Sequence, residues 1–249
     1  MGAIRVCFTK TAERYALGTL YSVGCSTGEA DGRGERGRAE SNQADGKMHL
    51  RIYQCIKEKW YRGERERVKV FNHLKTITYH KWLVCKGCFA VGLYRQGLLH
   101  DMSKYSPSEF WVGAKYFQGN RSPNNAEREA VGYSMAWLHH KGRNKHHYEY
   151  WIDYSLSGGS GGMSPAPMPR RYIAEMVMDR IAACKVYLGE DYTDSSPLTY
   201  YKSRKEPAPM HEFTKKNLEF LLCMLAEKGE KKTFSYIKRR FLKKAGKKR

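Results

Sequence analysis

The chain contains the stretch Gly97-Leu98-Leu99-His100-Asp101-Met102-Ser103-Lys104-Tyr105-Ser106-Pro107-Ser108-Glu109. Its second half has the residues of a helix N-terminus, because Ser106 suits the N-cap, Pro107 the first helical position and Glu109 the third. Its first half is an apolar run that ends in an imidazole beside a carboxylate. The stretch therefore predicts a junction, with one helix ending near Asp101 and another beginning at Pro107.

Apolar residues recur at helical spacing on both sides of this junction. Between residues 53 and 94 they predict one or two helices with these members in the core: Ile77, Trp82, Leu83, Val84, Cys88 and Val91. The same spacing and helix-start signals predict further helices over residues 123–140, 170–188, 211–228 and 233–242, with a capped turn at Ser196-Pro197. No alternating strand pattern stands out, so the chain is predicted to be all-α.

Composition sets the expected domain limits. Residues 24–46 are rich in Gly, Ser, Glu and Arg and offer almost nothing to bury, so residues 1–47 are predicted to be a disordered extension. A start codon assigned too far upstream would explain such an extension. Residues 48–242 are then a single helical domain, with a Gly- and Pro-rich loop at 155–169 and a basic tail at 243–249.

The charge of the chain is concentrated at its C-terminal end. Lys and Arg number 45 against 25 Asp and Glu, a net charge of +20, and residues 228–249 hold 11 basic residues against one acid. Nucleic acid or another polyanion is therefore a candidate partner for the basic C-terminus. The alternative is a solvated terminal helix with a basic end, since no RNA-reading motif accompanies the charge.

Other compositional features narrow the class of protein. No run of about 18 apolar residues occurs, so a membrane-spanning helix is not expected. The seven cysteines are an odd number and no secretory leader stands out, which favours reduced thiols and a cytoplasmic protein.

Histidines cluster in the first part of the chain. Eight of the nine precede the glycine-rich loop. A lone histidine is more often a core or surface residue than a metal ligand. Together with acids, however, imidazoles form sites for divalent cations, and His100-Asp101 offers one ligand of each kind.

The segment Gly97–Lys104 resembles the signature L-L-H-D-x-x-K of the HD superfamily, whose members are metal-dependent phosphohydrolases. In that superfamily an upstream histidine, the His-Asp pair and a later aspartate hold a divalent metal. The resemblance implies His80, in His80-Lys81-Trp82-Leu83-Val84, as the upstream ligand, with His73 as the alternative. It implies Asp179, in the segment Glu175–Ala183, as the later aspartate ligand.

The same resemblance assigns roles to further residues. His139 or His140, and His146 or His147, are similar to histidines that bind a second metal or contact phosphate in two-metal members, and the choice within each pair is open. A polar loop surface is the alternative for both pairs. Asp101 and Lys104 are the candidate catalytic residues, because Lys104 closes the resembling motif.

A second resemblance covers more of the chain. The segments Tyr94–Pro107, Gly119–Asn125 and Trp137–His147 are similar to an uncharacterised bacterial family, catalogued as a domain of unknown function, some of whose members carry the label catalase. The similarity extends over about residues 71–242. It implies a single helical bundle of the HD-domain type and no particular substrate.

These observations predict a phosphohydrolase that acts through a metal-activated water. One or two divalent cations among Mn, Fe, Mg, Co and Zn suit imidazole and carboxylate ligands. A phosphorylated small molecule or a nucleotide, as phosphomonoester or phosphodiester, is the expected substrate. The alternatives are a non-catalytic metal-stabilised module that binds nucleic acid or another polyanion and, from the label alone, a haem catalase. The oligomeric state is not predicted.

Overall fold

A computed structural model describes residues 35–155, 162–203 and 208–243 of the chain. The chain divides into two compact units, residues 1–58 and 59–249, so this boundary lies after the predicted one at residue 47. In the first unit, the described residues 35–58 belong to helix α1, Glu35–Val91. Part of the predicted disordered extension is thus helical, since its Ala, Glu and Arg residues are good helix formers.

Helices also make up most of the second unit. After α1 follow α2 Tyr94–Leu99, α3 Pro107–Lys115, α4 Pro123–Val131, α5 Met135–Arg143, α6 Arg170–Leu188, α7 Ser196–Lys202 and α8 Glu212–Tyr236. Shorter turns are the 3₁₀ segments Met102–Tyr105, Tyr148–Trp151 and Gly189–Asp191 and the π-helical turn Ile237–Phe241. The prediction of an all-α fold is confirmed. Across the described residues, no helix is both long and apolar enough to cross a bilayer.

Several elements differ from the sequence-based expectation. A short antiparallel hairpin, β1 Ile152–Tyr154 and β2 Met163–Pro165, was not predicted, and β2 lies inside the segment 155–169 that was predicted to be a loop. The helix predicted over 123–140 is two helices, because Gly132 has φ 85° and ends α4. Near the C-terminus, α8 consists of two helical parts that meet at a kink at Gly229, with φ 75°, so a separate last helix is present as predicted, but it begins before Thr233, which is not its N-cap.

The core of the second unit joins α1, α6 and α8. Its buried side chains include Val84 and Cys88 of α1, Ile173, Val177 and Ile181 of α6, Leu218, Leu221 and Leu225 of α8, and Ile237 and Phe241 after it. Burial of such side chains stabilises the fold by about 1.5–3 kcal/mol each. Trp82 is not part of this core, contrary to its prediction, because it lies on the other side of α1 and is exposed.

His73 packs α1 against α3. It is buried between Phe110 and Phe117 and lies over Gly113, and its burial together with the charge of Lys104 lowers its pKa to about 4. A Cβ atom at position 113 would lie 2.5 Å from Nε2 of His73. The neutral ring therefore fills a space that only glycine leaves open.

We expect Gly113→Ala to lower the free energy of unfolding by about 1–3 kcal/mol, the usual cost of overpacking a core. Urea titration of the full chain measures the change, and Gly142→Ala is the control because nothing lies within 4 Å of its Cβ position. In a His73→Ala background the cost should disappear. An equal cost in both backgrounds would contradict this placement of His73.

Candidate metal centre

Three parts of the chain, namely α1, the turn after α2, and α6, bring together the first ligand group. We call it site 1: His80, His100, Asp101 and Asp179. His80 lies on the buried face of α1, one turn from Ile77 and Val84, and Asp179 lies on α6. Nε2 of His80 is 3.1 Å from Oδ1 of Asp179. Oδ2 of Asp101 lies 3.6 Å from Nε2 of His80 and 3.3 Å from Nε2 of His100.

Asp101 has an unusual backbone conformation. With φ 53° and ψ 26° it is left-handed, and it is the one non-glycine residue with positive φ in the described part of the chain. Aspartate tolerates this region better than most residues, although it still costs free energy. The turn joins α2 to the 3₁₀ segment Met102–Tyr105. Strained backbone of this kind is often kept at functional sites.

The other oxygen of the same carboxylate contacts a second ligand group, site 2: Asp101, His140, His146 and His147. Oδ1 of Asp101 lies 3.3 Å from Nε2 of His140 and 3.4 Å from Nε2 of His146. Nε2 of His147 is 2.9 Å from Nε2 of His140. Asp101 is therefore shared, with one oxygen directed to each site.

The separations between these atoms suit metal ligation. Two ligand atoms at about 2.1 Å from one ion are separated by about 3.0 Å at a right angle and about 3.4 Å at the tetrahedral angle. The separations above, from 2.9 to 3.6 Å, lie at or near this range. Each site has imidazole and carboxylate ligands without thiolate, a set that suits Mn, Fe, Co, Zn or Mg.

Buried polar atoms without hydrogen-bond partners give a test of this fit. They include Nε2 of His80, His100 and His146 and Oδ1 of Asp101, and all four point into the two sites. Buried nitrogen and oxygen atoms normally have partners, and leaving one unpaired costs about 1–3 kcal/mol. The residues present therefore fit divalent cations, which would satisfy these atoms.

Glu175 orients one histidine of each site. Its Oε1 lies 3.0 Å from Nδ1 of His100 and 3.2 Å from Nδ1 of His146. Burial raises the pKa of Glu175, but the bonds from the two histidines outweigh it and lower the value, so the carboxylate accepts an N–H from each ring. A proton held on Nδ1 leaves the lone pair of Nε2 free for a metal.

Glu109 has the same role at site 2. Its Oε2 lies 2.8 Å from Nδ1 of His140, and its Oε1 lies 2.5 Å from Nδ1 of His139. The capping function predicted for Glu109 is wrong, since its side chain is turned to these rings and Ser106 makes no side-chain cap bond. His139 is partly exposed and contacts Glu109, so it lies outside both sites.

Opposite charges in the centre stabilise one another's ionised forms. Burial opposes ionisation of Asp101, but His100, Lys104 and His140 outweigh it and hold the pKa of the carboxyl well below its usual range. Burial likewise opposes the charge of Lys104, whose pKa is nevertheless raised because Asp101 and Asp179 are close. Asp101 is thus ionised and Lys104 protonated at neutral pH.

A cavity of about 670 Å³ opens onto both sites. Its lining includes His80 and Asp179 of site 1 and His140 and His147 of site 2. Lys104 also lines it, with Nζ 2.7 Å from Oδ2 of Asp101. A ligand in the cavity would therefore meet both sites and a fixed positive charge.

The structure groups most of the residues singled out from the sequence. Sites 1 and 2 together contain His80, His100, Asp101, His140, His146, His147 and Asp179, and Lys104 lies beside them. His139 and His73 belong to neither site. The resemblance did not indicate Glu175 and Glu109. A signal for Glu175 existed, because it precedes Asp179 by one helical turn and so lies on the same face.

Comparisons with known proteins give one match. The model of a family of unknown function (DUF5662) matches residues 69–224. This range contains all residues of sites 1 and 2, together with Glu109 and Glu175. No curated protein and no solved structure matches the chain.

Proposed function

We propose that this chain, which belongs to the DUF5662 family of unknown function, is a metal-dependent phosphohydrolase with two divalent cations. The observation that carries the proposal is the sharing of Asp101: its two oxygens face separate groups of histidines. Paired metal sites of this kind recur in phosphatases and nucleases. The likeness of the His100-Asp101 stretch to the HD superfamily points to the same chemistry.

Site 1 and site 2 would each hold one cation. When bound, such cations lower the pKa of water and offset negative charge on phosphoryl oxygens. Lys104 keeps its proton because two carboxylates are near, so it supplies positive charge and N–H donors to a phosphate. Burial and the neighbouring His146 and His140 hold the pKa of His147 well below its usual value, so this ring is neutral where it meets the cavity.

The walls of the cavity limit the substrate. They come from α6, α7 and the segment around Asn120, and they include the basic residues Arg121 and Arg180. A volume of about 670 Å³ exceeds the needs of inorganic phosphate and suits a small organic phosphoester. We therefore expect a phosphorylated small molecule or a nucleotide as the substrate.

A non-catalytic, metal-stabilised module that binds a polyanion is the second candidate. It is favoured by a group of exposed cations at the end of α8 and after it: Lys231, Lys232, Lys238, Arg239 and Arg240. The two candidates differ in turnover. A module would lose folding together with its metal and would never hydrolyse a phosphoester.

A substrate screen tests the proposal. The full chain is treated with EDTA, reloaded with Mn, Fe, Co, Mg or Zn, and assayed with p-nitrophenyl phosphate, its diester bis(p-nitrophenyl) phosphate and a set of nucleotides. We expect no turnover after EDTA and recovery with at least one metal. A chain that binds metal stoichiometrically but hydrolyses none of these compounds would favour the non-catalytic module.

Replacement of the cavity lysine should weaken catalysis without removing metal. We expect Lys104→Gln to lower kcat/KM about 10- to 100-fold, since a charge-assisted contact to phosphate contributes about 1.5–3 kcal/mol. Elemental analysis should find the metal content unchanged. Lys115→Gln, on the exposed end of α3, is the matched control and should leave both quantities as they are. Equal values of kcat/KM for the two variants would show that Lys104 has no role in catalysis.

A further inference from the structure

Helix α1 has a second apolar face besides the one it buries. His73, Ile77, Val84 and Cys88 are buried on the first face. On another side of the helix, exposed apolar residues recur at intervals of eight, three, three and eight residues, which place them on one side: Trp60, Val68, Phe71, Leu74 and Trp82. Trp60 is 57% exposed and Phe71 67% exposed, although side chains of this size are usually covered. Exposed apolar stripes of this kind mark interaction surfaces.

Part of this face forms a shallow groove, which we call the α1 groove: Trp60, Glu64, Arg67, Val68 and Phe71. Trp60, Glu64, Arg67 and Phe71 follow one another at intervals of four, three and four residues, the spacing of a coiled-coil seam. The two aromatic residues thus stand at the ends of the seam, and an acid and a base stand between them. The spacing is the same in both directions, and reversal of the helix exchanges the acid with the base.

We infer that the α1 groove is the contact surface for a second copy of this chain, with the two helices antiparallel. A two-fold axis between Arg65 and Glu66 places Trp60 opposite the partner's Phe71. The same axis places Glu64 opposite the partner's Arg67. Each of these contacts occurs twice, because an isologous interface repeats every pair. The second copy therefore satisfies both the apolar and the charged members of the groove.

Charge selects this orientation over the parallel one. Parallel helices in register would set Glu64 against its own copy and Arg67 against its own copy, and like charges in a seam repel. The other charged residues of the segment, Arg62, Arg65, Glu66 and Lys69, lie on the opposite side of the helix at 3.6 residues per turn. One pair among them, Glu66 and Lys69, is satisfied within the chain at 3.6 Å.

The size of the contact sets its expected strength. Four layers span only about 17 Å of helix, at 1.5 Å per residue. Such a contact buries less than the roughly 1,600 Å² of a standard interface. We therefore expect a dimer that dissociates on dilution through the micromolar range and weakens at high salt, since two ion pairs lie in the seam.

Sedimentation velocity of the full chain at several concentrations tests the inference through charge reversal. Glu64→Arg and Arg67→Glu should each be monomeric, because each sets like charges against one another. A mixture of the two variants should form a heterodimer, and the double variant Glu64→Arg/Arg67→Glu should dimerise again. Glu66→Arg, on the opposite side of the helix, is the control and should dimerise like the unmodified chain.

Two results would overturn the inference. The unmodified chain could sediment as a monomer at every concentration, in which case another partner covers the groove. Alternatively, the single reversals could dimerise as well as the unmodified chain, which would place the dimer contact elsewhere. The variants are at exposed positions, so circular dichroism should show no loss of helix and the comparison does not depend on folding.

Discussion

Replacement of Asp101 by Asn will remove metal from both sites and abolish hydrolysis, with a loss on the order of 10³-fold or more in kcat. The reason is that this carboxylate contributes one oxygen to each ligand group, 3.3 Å from His100 on one side and 3.3 Å from His140 on the other. A catalytic metal contributes several kcal/mol, and about 4 kcal/mol corresponds to a factor of about 10³. An amide offers one neutral oxygen in place of two charged ones.

Three measurements make this expectation specific. Elemental analysis should find both metals missing, and thermal unfolding of the Asn variant should no longer respond to EDTA. Asp191→Asn, at an exposed carboxylate in the 3₁₀ segment Gly189–Asp191, is the control and should keep metal and activity. A variant Asp101→Asn that keeps one metal and most of its activity would show that the carboxylate is not shared.

The second large effect is expected at Glu175, which does not line the cavity at the two sites. We expect Glu175→Gln to weaken metal affinity at both sites about 10- to 100-fold each, the usual effect of removing a carboxylate that orients a metal-binding histidine. The side-chain amide of glutamine carries no negative charge, so it cannot hold the N–H groups of both rings as the carboxylate does. His100 and His146 therefore lose their fixed tautomer together. Activity at limiting metal should fall, and saturating metal should restore most of it.

Glu109→Gln supplies the matched comparison. Glu109 contacts His140 of site 2, and none of its contacts is with His80, His100 or Asp179, so only the metal of site 2 should be affected. Calorimetric titration with Mn²⁺ separates the two variants. If both variants changed the same single binding step, Glu175 would not serve two sites.

The sequence predicted the helices well where local signals were strong. The helix starts predicted at Pro107 and at residue 123 agree with α3 and α4, because proline at the first helical position is a local signal, although neither preceding serine makes a side-chain cap bond. The end predicted at residue 188 agrees with α6, which is followed by Gly189. The prediction of one helix over residues 123–140 took no account of Gly132, whose positive φ ends α4. The hairpin β1–β2 has three residues per strand, too short for a period-two pattern to show.

Prediction of the site depended on the resemblance more than on spacing. The segment Gly97–Lys104 led to His100 and Asp101, and through them to ligands that are distant in sequence. The sequence alone could not distinguish His139 from His140 as a ligand. The difference between them is tertiary, because the ring of His139 contacts Glu109, whereas the ring of His140 also contacts Asp101. The tertiary contacts of Glu109 leave no local trace in the sequence, whereas Glu175 could have been found from its position one helical turn before Asp179. A prediction of local structure therefore assigns Glu109 to helix capping.

The most direct measurement is an anomalous difference map from crystals of the full chain grown with Mn²⁺. Our account predicts two peaks, one beside each oxygen of Asp101. One peak should lie among His80, His100 and Asp179, and the other among His140, His146 and His147. A map with no peak at Asp101, or with a single ion bound away from this carboxylate, would contradict it.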